Sequence, residues 1–192
     1  EEPAEKARRR ALPDYAAEGS GIDAVAPRCA VLSNGTYCLA VSEAGQSFAR
    51  WHALSVCRRG TRADPAAGPV VRLETDEFSA PLLPGTAEGA QWRFTVRSAQ
   101  FTTRHGDVTA VQTLTVPGRA NGEVRALTLS SPNGIEGTVR FVFEAVLAPW
   151  EDYVNHPAFA RLGFQSVLRR DALLLRHLGR GEKPEAWLCA AC

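Results

Sequence analysis

Three stretches rich in β-branched and aromatic residues lie close together in the second half of the chain. They cover residues 108–116, 124–129 and 138–147, and the segments 117–122 and 132–137 that separate them contain Pro and Gly. Such side chains favour extended backbone, whereas Pro and Gly favour turns. We therefore predict three consecutive antiparallel strands arranged as a meander.

Shorter runs of the same character occupy most of the remaining chain. Residues 30–33 and 37–42 flank Asn34-Gly35, a pair typical of a type I′ hairpin turn because both central positions need positive φ. About a dozen short strands without intervening helices must stack to hide their apolar sides. The prediction is an all-β fold, a large two-sheet antiparallel β-sandwich (supersandwich) with a short helical turn at 158–162. Further strand candidates are 47–51, 54–58, 70–73, 78–82, 92–96, 99–104, 164–169, 172–177 and 186–189.

The amino-terminal stretch differs from the rest in composition. Residues 1–28 are rich in Glu, Arg, Ala and Pro, and Pro13 and the segment 19–21 interrupt any continuous helix. We interpret 1–28 as a mostly irregular linker with a short helix near 4–12, and 29–192 as the β-sandwich domain. Because the chain contains no methionine, we expect it to be part of a longer polypeptide.

The charge balance excludes one class of partner. Lys and Arg number 22 against 21 Asp and Glu, which gives a formal net charge of +1. So small a charge provides no field that would attract nucleic acid or an anionic membrane. No apolar run approaches the roughly 18 residues of a spanning helix, so we expect no direct membrane contact.

Five cysteines make an odd number, which argues against a complete disulfide framework. Cys29, Cys38 and Cys57 lie in apolar, strand-like stretches, so we predict buried thiols there. Cys189 and Cys192 have the spacing of a redox pair or half a zinc site, but no second pair matches them. A disulfide between them and a chance spacing both stay open.

Signatures of catalysis are missing from the sequence. It contains no nucleophile elbow, phosphate-binding loop, dinucleotide fingerprint or zinc-protease helix. We predict no catalytic residue, no metal site and no cofactor, and an inactive isolated chain. Glu144 is an acidic residue in an apolar strand, and an outward, solvated position explains it.

The segment 150–156 is the best candidate for an interaction site. It breaks the strand rhythm and mixes aromatic with polar side chains, the combination that sugar recognition uses for ring faces and hydroxyl groups. We predict a loop in which Trp150 and Tyr153 contact a saccharide.

Two separated signatures carry a family resemblance. The first reads LSNGTY at 32–37 and EAGQSFARW at 43–51, and the second reads FEAVLAP at 143–149 and NHPAFARL at 155–162. Together they resemble the amino-terminal β-sandwich domain of the cellobiose and chitobiose phosphorylase family (glycoside hydrolase family 94), most closely the copies at the carboxyl end of cyclic β-1,2-glucan synthases. The stretch 60–68 departs from the family pattern.

The resemblance implies a non-catalytic domain that packs on an (α/α) barrel of the same parent chain and shapes its site for β-glucan or another oligosaccharide. The parent would be a glycosyltransferase or glycoside phosphorylase. If it is the synthase, it resembles an inner-membrane enzyme using UDP-glucose, and the resemblance implies a cytoplasmic location for this domain.

The resemblance also suggests particular site residues. Phe159-Ala160-Arg161 is similar to a Phe-x-Arg element that holds the sugar, and Arg50 lies in an element similar to one near the active-site entrance. With Trp150 and Tyr153 they form the predicted substrate-binding set. For Arg161, a surface position or an interdomain ion pair is the alternative.

Two other functions stay open for the chain as a whole. One is a free-standing carbohydrate-binding module that uses the segment 150–156 as its platform. The other is a structural or dimer-forming domain, so a homodimer is possible.

Overall fold

The computed structural model describes residues 15–23, 25–61, 68–179 and 185–191. These residues form sixteen strands and two short helices. The helices are α1 (Trp150–Asn155) and α2 (Pro157–Arg161), and Pro84–Thr86 forms a 3₁₀ turn. The strands are β1 (Ala16–Ser20), β2 (Cys29–Ser33), β3 (Tyr37–Ser42), β4 (Ser47–Trp51), β5 (Leu54–Cys57), β6 (Val70–Glu74), β7 (Ser79–Pro81), β8 (Gln91–Thr95), β9 (Ser98–His105), β10 (Val108–Thr115), β11 (Val124–Ser130), β12 (Thr138–Val142), β13 (Ala145–Ala148), β14 (Phe164–Leu168), β15 (Ala172–His177) and β16 (Ala186–Ala191).

The strands form four hydrogen-bonded sheets. Sheet I has the order β1-β8-β9-β10-β11, sheet II β12-β6-β7, sheet III β13-β5-β4-β3-β2 and sheet IV β14-β15-β16. Every recorded strand pair in them is antiparallel. The predicted all-β, antiparallel architecture is confirmed.

The core shows how the sheets stack. In the largest cluster, Leu39 of sheet III packs with Phe101 and Leu114 of sheet I. In a second cluster, Leu73 of sheet II packs with Val108 of sheet I. Sheet I therefore forms one layer, and sheets II and III together form the facing layer. Sheet IV joins the larger core through Ala186, with Phe164 and Leu188 partly buried against it.

The third predicted strand is not continuous, and this corrects the meander. β10 and β11 pair as predicted, but 138–147 divides at Phe143-Glu144 into β12, which pairs with β6, and β13, which pairs with β5. The chain thus leaves the edge of sheet II and enters sheet III. The division places Val146 in a small separate core and Leu147 in the large one.

The hairpin between β2 and β3 forms as predicted, but its turn is not type I′. Gly35 has φ 96°, whereas Asn34 does not have positive φ, and three residues separate the strands. The Asn34 side chain instead accepts hydrogen bonds from the backbone N–H of Thr36 at 3.1 Å and Tyr37 at 2.9 Å. Its amide donates to the carbonyl of Pro117 at 2.8 Å, so it ties the hairpin to the other layer.

Part of the expected linker belongs to the sandwich. β1 pairs with β8 along its whole length and forms one edge of sheet I. Its sequence, AAEGS, contains no β-branched or aromatic residue, so local propensity does not predict it. The helix expected near 4–12 lies outside the described residues, as does Cys192.

The prediction of three buried thiols holds only for Cys57. Cys57 is buried, Cys38 is intermediate, and Cys29 is exposed. Cys29 lies on the edge strand β2, whose residues alternate between exposed and buried, so period two places its side chain outward. Burial raises the pKa of the Cys57 thiol to about 12.

Candidate functional site

A carboxylate at the start of the second signature organises the candidate site. Glu144 Oε1 accepts a hydrogen bond from the Tyr153 hydroxyl at 2.7 Å. The same oxygen accepts from Arg161 Nε at 3.1 Å and Nη2 at 2.7 Å, and Glu144 Oε2 lies 3.4 Å from Arg58 Nη1. Two predicted site residues, Tyr153 and Arg161, are thus brought together by an acidic side chain that the sequence analysis interpreted as merely solvated.

An irregular strand end directs the chain toward this cluster. The pairing of β13 with β5 shifts register between Ala145 and Ala148, and Leu147 has a left-handed φ of 46°. A bulge of this kind bends a strand and turns its side chains to new directions. Pro149 follows, and α1 begins directly after it, so the predicted loop at 150–156 is wrong: most of it is helix.

Helix α1 is fixed by a small apolar core. Tyr153 is buried with Val146 and Ala148, and Trp150 packs at the edge of this group. Tyr153 therefore presents its ring to the protein and its hydroxyl to Glu144. The burial of Tyr153 excludes it from stacking against a sugar ring in this conformation.

The ring of Trp150 is in contact on several sides. Phe48 meets it edge-on with centroids 5.9 Å apart, and the Tyr153 ring lies at 5.4 Å. The Arg59 guanidinium lies 4.9 Å from its centroid, a favourable cation–π position. Trp150 thus anchors α1 on the outer surface of sheet III.

The pKa shifts in the cluster follow from these contacts. Burial alone raises the pKa of Glu144, but hydrogen bonds from Tyr153 and Arg161 outweigh it and hold that pKa below its ordinary value. Burial, with the nearby carboxylate, raises the pKa of Tyr153. The hydrogen bond to Glu144 raises the pKa of Arg161. Near neutral pH the cluster therefore contains an ionised carboxylate and protonated neighbours.

The remaining two predicted residues stand apart from the carboxylate. Phe159 on α2 is 60% exposed and has the ring of His156 6.0 Å away. Arg50 is exposed on β4, opposite Cys38 and Ser55 in register, and among the described residues no recorded contact joins it to Glu144 or Arg161. The structure brings together Trp150, Tyr153 and Arg161, with Phe159 on the adjoining helix.

Three residues of the site were missed by the sequence analysis: Phe48, Arg58 and Arg59. Arg58 donates its backbone N–H to the Glu144 carbonyl at 2.8 Å, which places the end of β5 beside the second signature. Only the pairing of β5 with β13 creates this proximity. The available signal was the Arg58-Arg59 pair directly after an apolar strand.

The first signature has a different role. The Tyr37 hydroxyl donates to Glu123 Oε2 at 2.9 Å, and Glu123 Oε1 lies 2.6 Å from Arg125 Nε. Arg125 also donates to the Ser47 hydroxyl at 2.8 Å, and its side chain is 9% exposed. This buried network crosses between the two layers and leaves little polar surface for a ligand.

The Glu144 cluster can bind a polar group. Arg161 has a side chain 58% exposed, and Glu144 engages its Nε and Nη2, which leaves Nη1 to donate outward. Among the described residues, no three His, Cys, Asp or Glu side chains gather in a group that could hold a metal ion. No helix in the described ranges is long and apolar enough to cross a membrane.

Comparison with known protein families identifies the family of this chain. The family model for "Glycosyl hydrolase 94, supersandwich domain" matches residues 15–192, which includes β1 and both signatures. No curated protein matches the chain.

Proposed function

Because the chain belongs to the glycosyl hydrolase 94 family through its supersandwich domain, we propose that it is the non-catalytic domain that packs on an (α/α) barrel of the same parent chain and shapes its saccharide site. The observation that supports this role is the corner formed by α1 and α2. There a fixed, partly exposed guanidinium, Arg161, stands beside exposed apolar side chains.

The corner has the composition of an interdomain surface. Val154 is 54%, Phe159 60% and Leu162 70% exposed, and all three lie within the segment that carries Arg161. Adjoining exposed apolar residues in a soluble domain mark a contact with another protein surface. The barrel would cover these side chains, and Arg161 would then face the saccharide at the seam.

The geometry favours positioning over catalysis for Arg161. Its bidentate contact with Glu144 Oε1 fixes the guanidinium plane, and a fixed donor loses less entropy when it binds a hydroxyl group. Trp150 and Tyr153 fix α1, which adjoins the helix α2 that carries Arg161 and Phe159. They therefore contribute to substrate binding through Arg161 and Phe159.

The amino-acid sequences of the two signatures support a cyclic β-1,2-glucan synthase or a related phosphorylase as the parent protein. In the first case the parent would be an inner-membrane glycosyltransferase with this domain on the cytoplasmic side, and the saccharide would be a β-glucan.

Kinetics of the parent polypeptide tests the role of Arg161. Arg161→Ala should raise the KM for the saccharide by about tenfold, the value of one hydrogen bond from a charged donor, and leave kcat nearly unchanged. Arg97→Ala, at an exposed turn of sheet I, is the matched control. An unchanged KM in the Arg161 variant would contradict the proposed saccharide contact.

Docking on the barrel is tested separately, with the isolated chain and the barrel segment expressed alone. Calorimetric titration should show a complex that Phe159→Glu and Leu162→Glu abolish, because each places a charge in the apolar contact. Val124→Glu, an equally exposed position on sheet I, should bind as the unmodified chain does. Binding that survives both corner substitutions would place the barrel elsewhere.

The alternative of a free-standing module loses support at Trp150, because three groups, Phe48, Tyr153 and Arg59, contact the ring that would serve as its platform. The dimer-forming alternative is tested by light scattering, where a stable dimer of the isolated chain would favour it.

A further inference from the structure

Trp187 is an exposed aromatic residue that the proposed function does not use. It lies on β16, an edge strand of sheet IV, and is 59% exposed. In register with it across the sheet are Arg176 of β15 and Gln165 of β14. Residues opposite each other in antiparallel strands point to the same face, so the three side chains form one row.

This row is tied together by hydrogen bonds through Glu185. The Trp187 indole N–H donates to Glu185 Oε1 at 2.5 Å, and Arg176 Nη2 lies 2.6 Å from Glu185 Oε2. Arg176 Nη1 reaches Gln165 Oε1 at 3.4 Å. The indole and the guanidinium, whose Cζ is 5.4 Å from the ring centroid, are thereby held in fixed relative positions.

The chemistry of the row suits an uncharged, polyhydroxylated ligand. The charges of Arg176 and Glu185 cancel, so the row attracts neither phosphate nor a cation by net charge. The Gln165 amide and the second N–H of Arg176 Nη1 can still donate, and the Glu185 oxygens can accept. An exposed indole flanked by planar donors and acceptors is the pairing that pyranose rings require, with apolar C–H groups on one face and hydroxyls at the rim.

We propose that this face of sheet IV is a second saccharide-binding surface, on which a hexopyranose unit stacks on Trp187 while Arg176, Glu185 and Gln165 bind its hydroxyl groups. The adjoining row of Val167, Leu174 and Cys189 continues the face with apolar side chains. The inference rests on the proposed function only for the choice of a β-glucan as the probe.

The test uses the indole N–H resonances of the ¹⁵N-labelled chain, which contains four Trp residues. Titration with soluble β-1,2-gluco-oligosaccharides should shift the Trp187 resonance, identified by its loss in Trp187→Phe, in a saturable way. Trp187→Ala should weaken binding about tenfold, the contribution of one aromatic contact. Glu185→Gln, which keeps the ring but removes the charged acceptor, should weaken binding several-fold. Arg97→Ala, at an exposed turn of sheet I, should leave it unchanged.

Three results would overturn the proposal. The first is a Trp187 resonance whose chemical shift does not change at about 10 mM oligosaccharide, a concentration above the Kd of a weak, roughly millimolar complex. The second is a shift of Trp150 alone, which would leave the proposed function standing without this second surface. The third is a Trp187 shift that depends on protein concentration without saccharide, since it would identify a protein contact instead.

Discussion

Replacing Glu144 by Gln tests whether the second signature is held together by charge. Gln keeps the shape of the side chain but removes its charge. The hydrogen bond from the buried Tyr153 hydroxyl is then no longer charge-assisted, so its contribution to stability falls from about 2 kcal/mol to about 1 kcal/mol. The Arg161 side chain is 58% exposed, so the loss of that pair costs under about 1 kcal/mol. The expected decrease in the free energy of unfolding is therefore about 1–2 kcal/mol.

Urea unfolding near neutral pH measures this decrease, and thermal melting should show a drop of about 2–4 °C per kcal/mol. Glu74→Gln is the matched control. Glu74 pairs with Arg140 Nε at 2.6 Å, but their side chains are 33% and 61% exposed. An exposed pair of this kind contributes under about 1 kcal/mol, without the added loss from a buried hydroxyl. Equal losses in the two variants would refute the reasoning, because burial around Tyr153 would then contribute nothing.

The pH dependence gives a second, independent check. The folded-state pKa of Glu144 lies below its ordinary value of 4.5, so its ionised form stabilises the fold above that value. The stabilisation is lost as pH falls through the lowered pKa. The difference in unfolding free energy between the unmodified chain and Glu144→Gln should therefore shrink below about pH 4.5. A difference that stays constant into strong acid would show that charge is not its origin.

Two further predictions concern the first signature and the ion pair that contacts it. Gly45→Ala should lower the free energy of unfolding for two reasons. The left-handed φ of this position costs about 1 kcal/mol for a residue with a Cβ. Overpacking costs about 1–3 kcal/mol more, because the new Cβ would lie 2.6 Å from Pro84 Cδ. Gly35 has a similar φ but open space around it, so Gly35→Ala should lower the unfolding free energy, measured in urea, by only the φ contribution of about 1 kcal/mol. Equal decreases in the two variants would show that the contact with Pro84 contributes nothing. Glu123→Gln should lower the free energy of unfolding by about 3 kcal/mol, because it leaves the buried Arg125 guanidinium without its anionic partner. The double variant Glu123→Gln/Arg125→Met should regain much of this stability, because no buried charge is then left unpaired. A double variant that is as unstable as Glu123→Gln in differential scanning calorimetry would contradict the importance of the ion pair.

Period-two alternation predicted best the strands that have one face in a core and one outside it. β9 and β10 show this pattern over eight residues each, and such strands are recognisable without knowledge of their neighbours. β1 was not predictable in this way, since AAEGS becomes a strand only through its pairing with β8. Here tertiary context overrides local propensity.

The candidate site was predictable only in part, for a related reason. Trp150, Tyr153 and Arg161 could be selected because they lie within 12 residues of one another in an unusual segment. The Arg58 contact with Glu144 spans 86 residues and depends on which strands pair, and a single sequence does not determine strand pairing. The same applies to Glu144, because its alternation pattern fits a solvated residue as well as an organising carboxylate.

Two acidic residues differ in how far their binding partners remain open to solvent: Glu123, which contacts Tyr37 of the first signature, and Glu144, which belongs to the second. Glu123 binds the Tyr37 hydroxyl and the Arg125 guanidinium in a network whose ion pair is 15% and 9% exposed, so these groups are shielded between the layers. Glu144 binds Arg161 through one oxygen while more than half of that guanidinium remains in solvent. A ligand can reach the second network without breaking the fold, whereas it can reach the first only by separating the sheets. This difference supports Arg161 as the position of the proposed saccharide contact, whereas the buried contacts of the first signature stabilise the packing of the two layers.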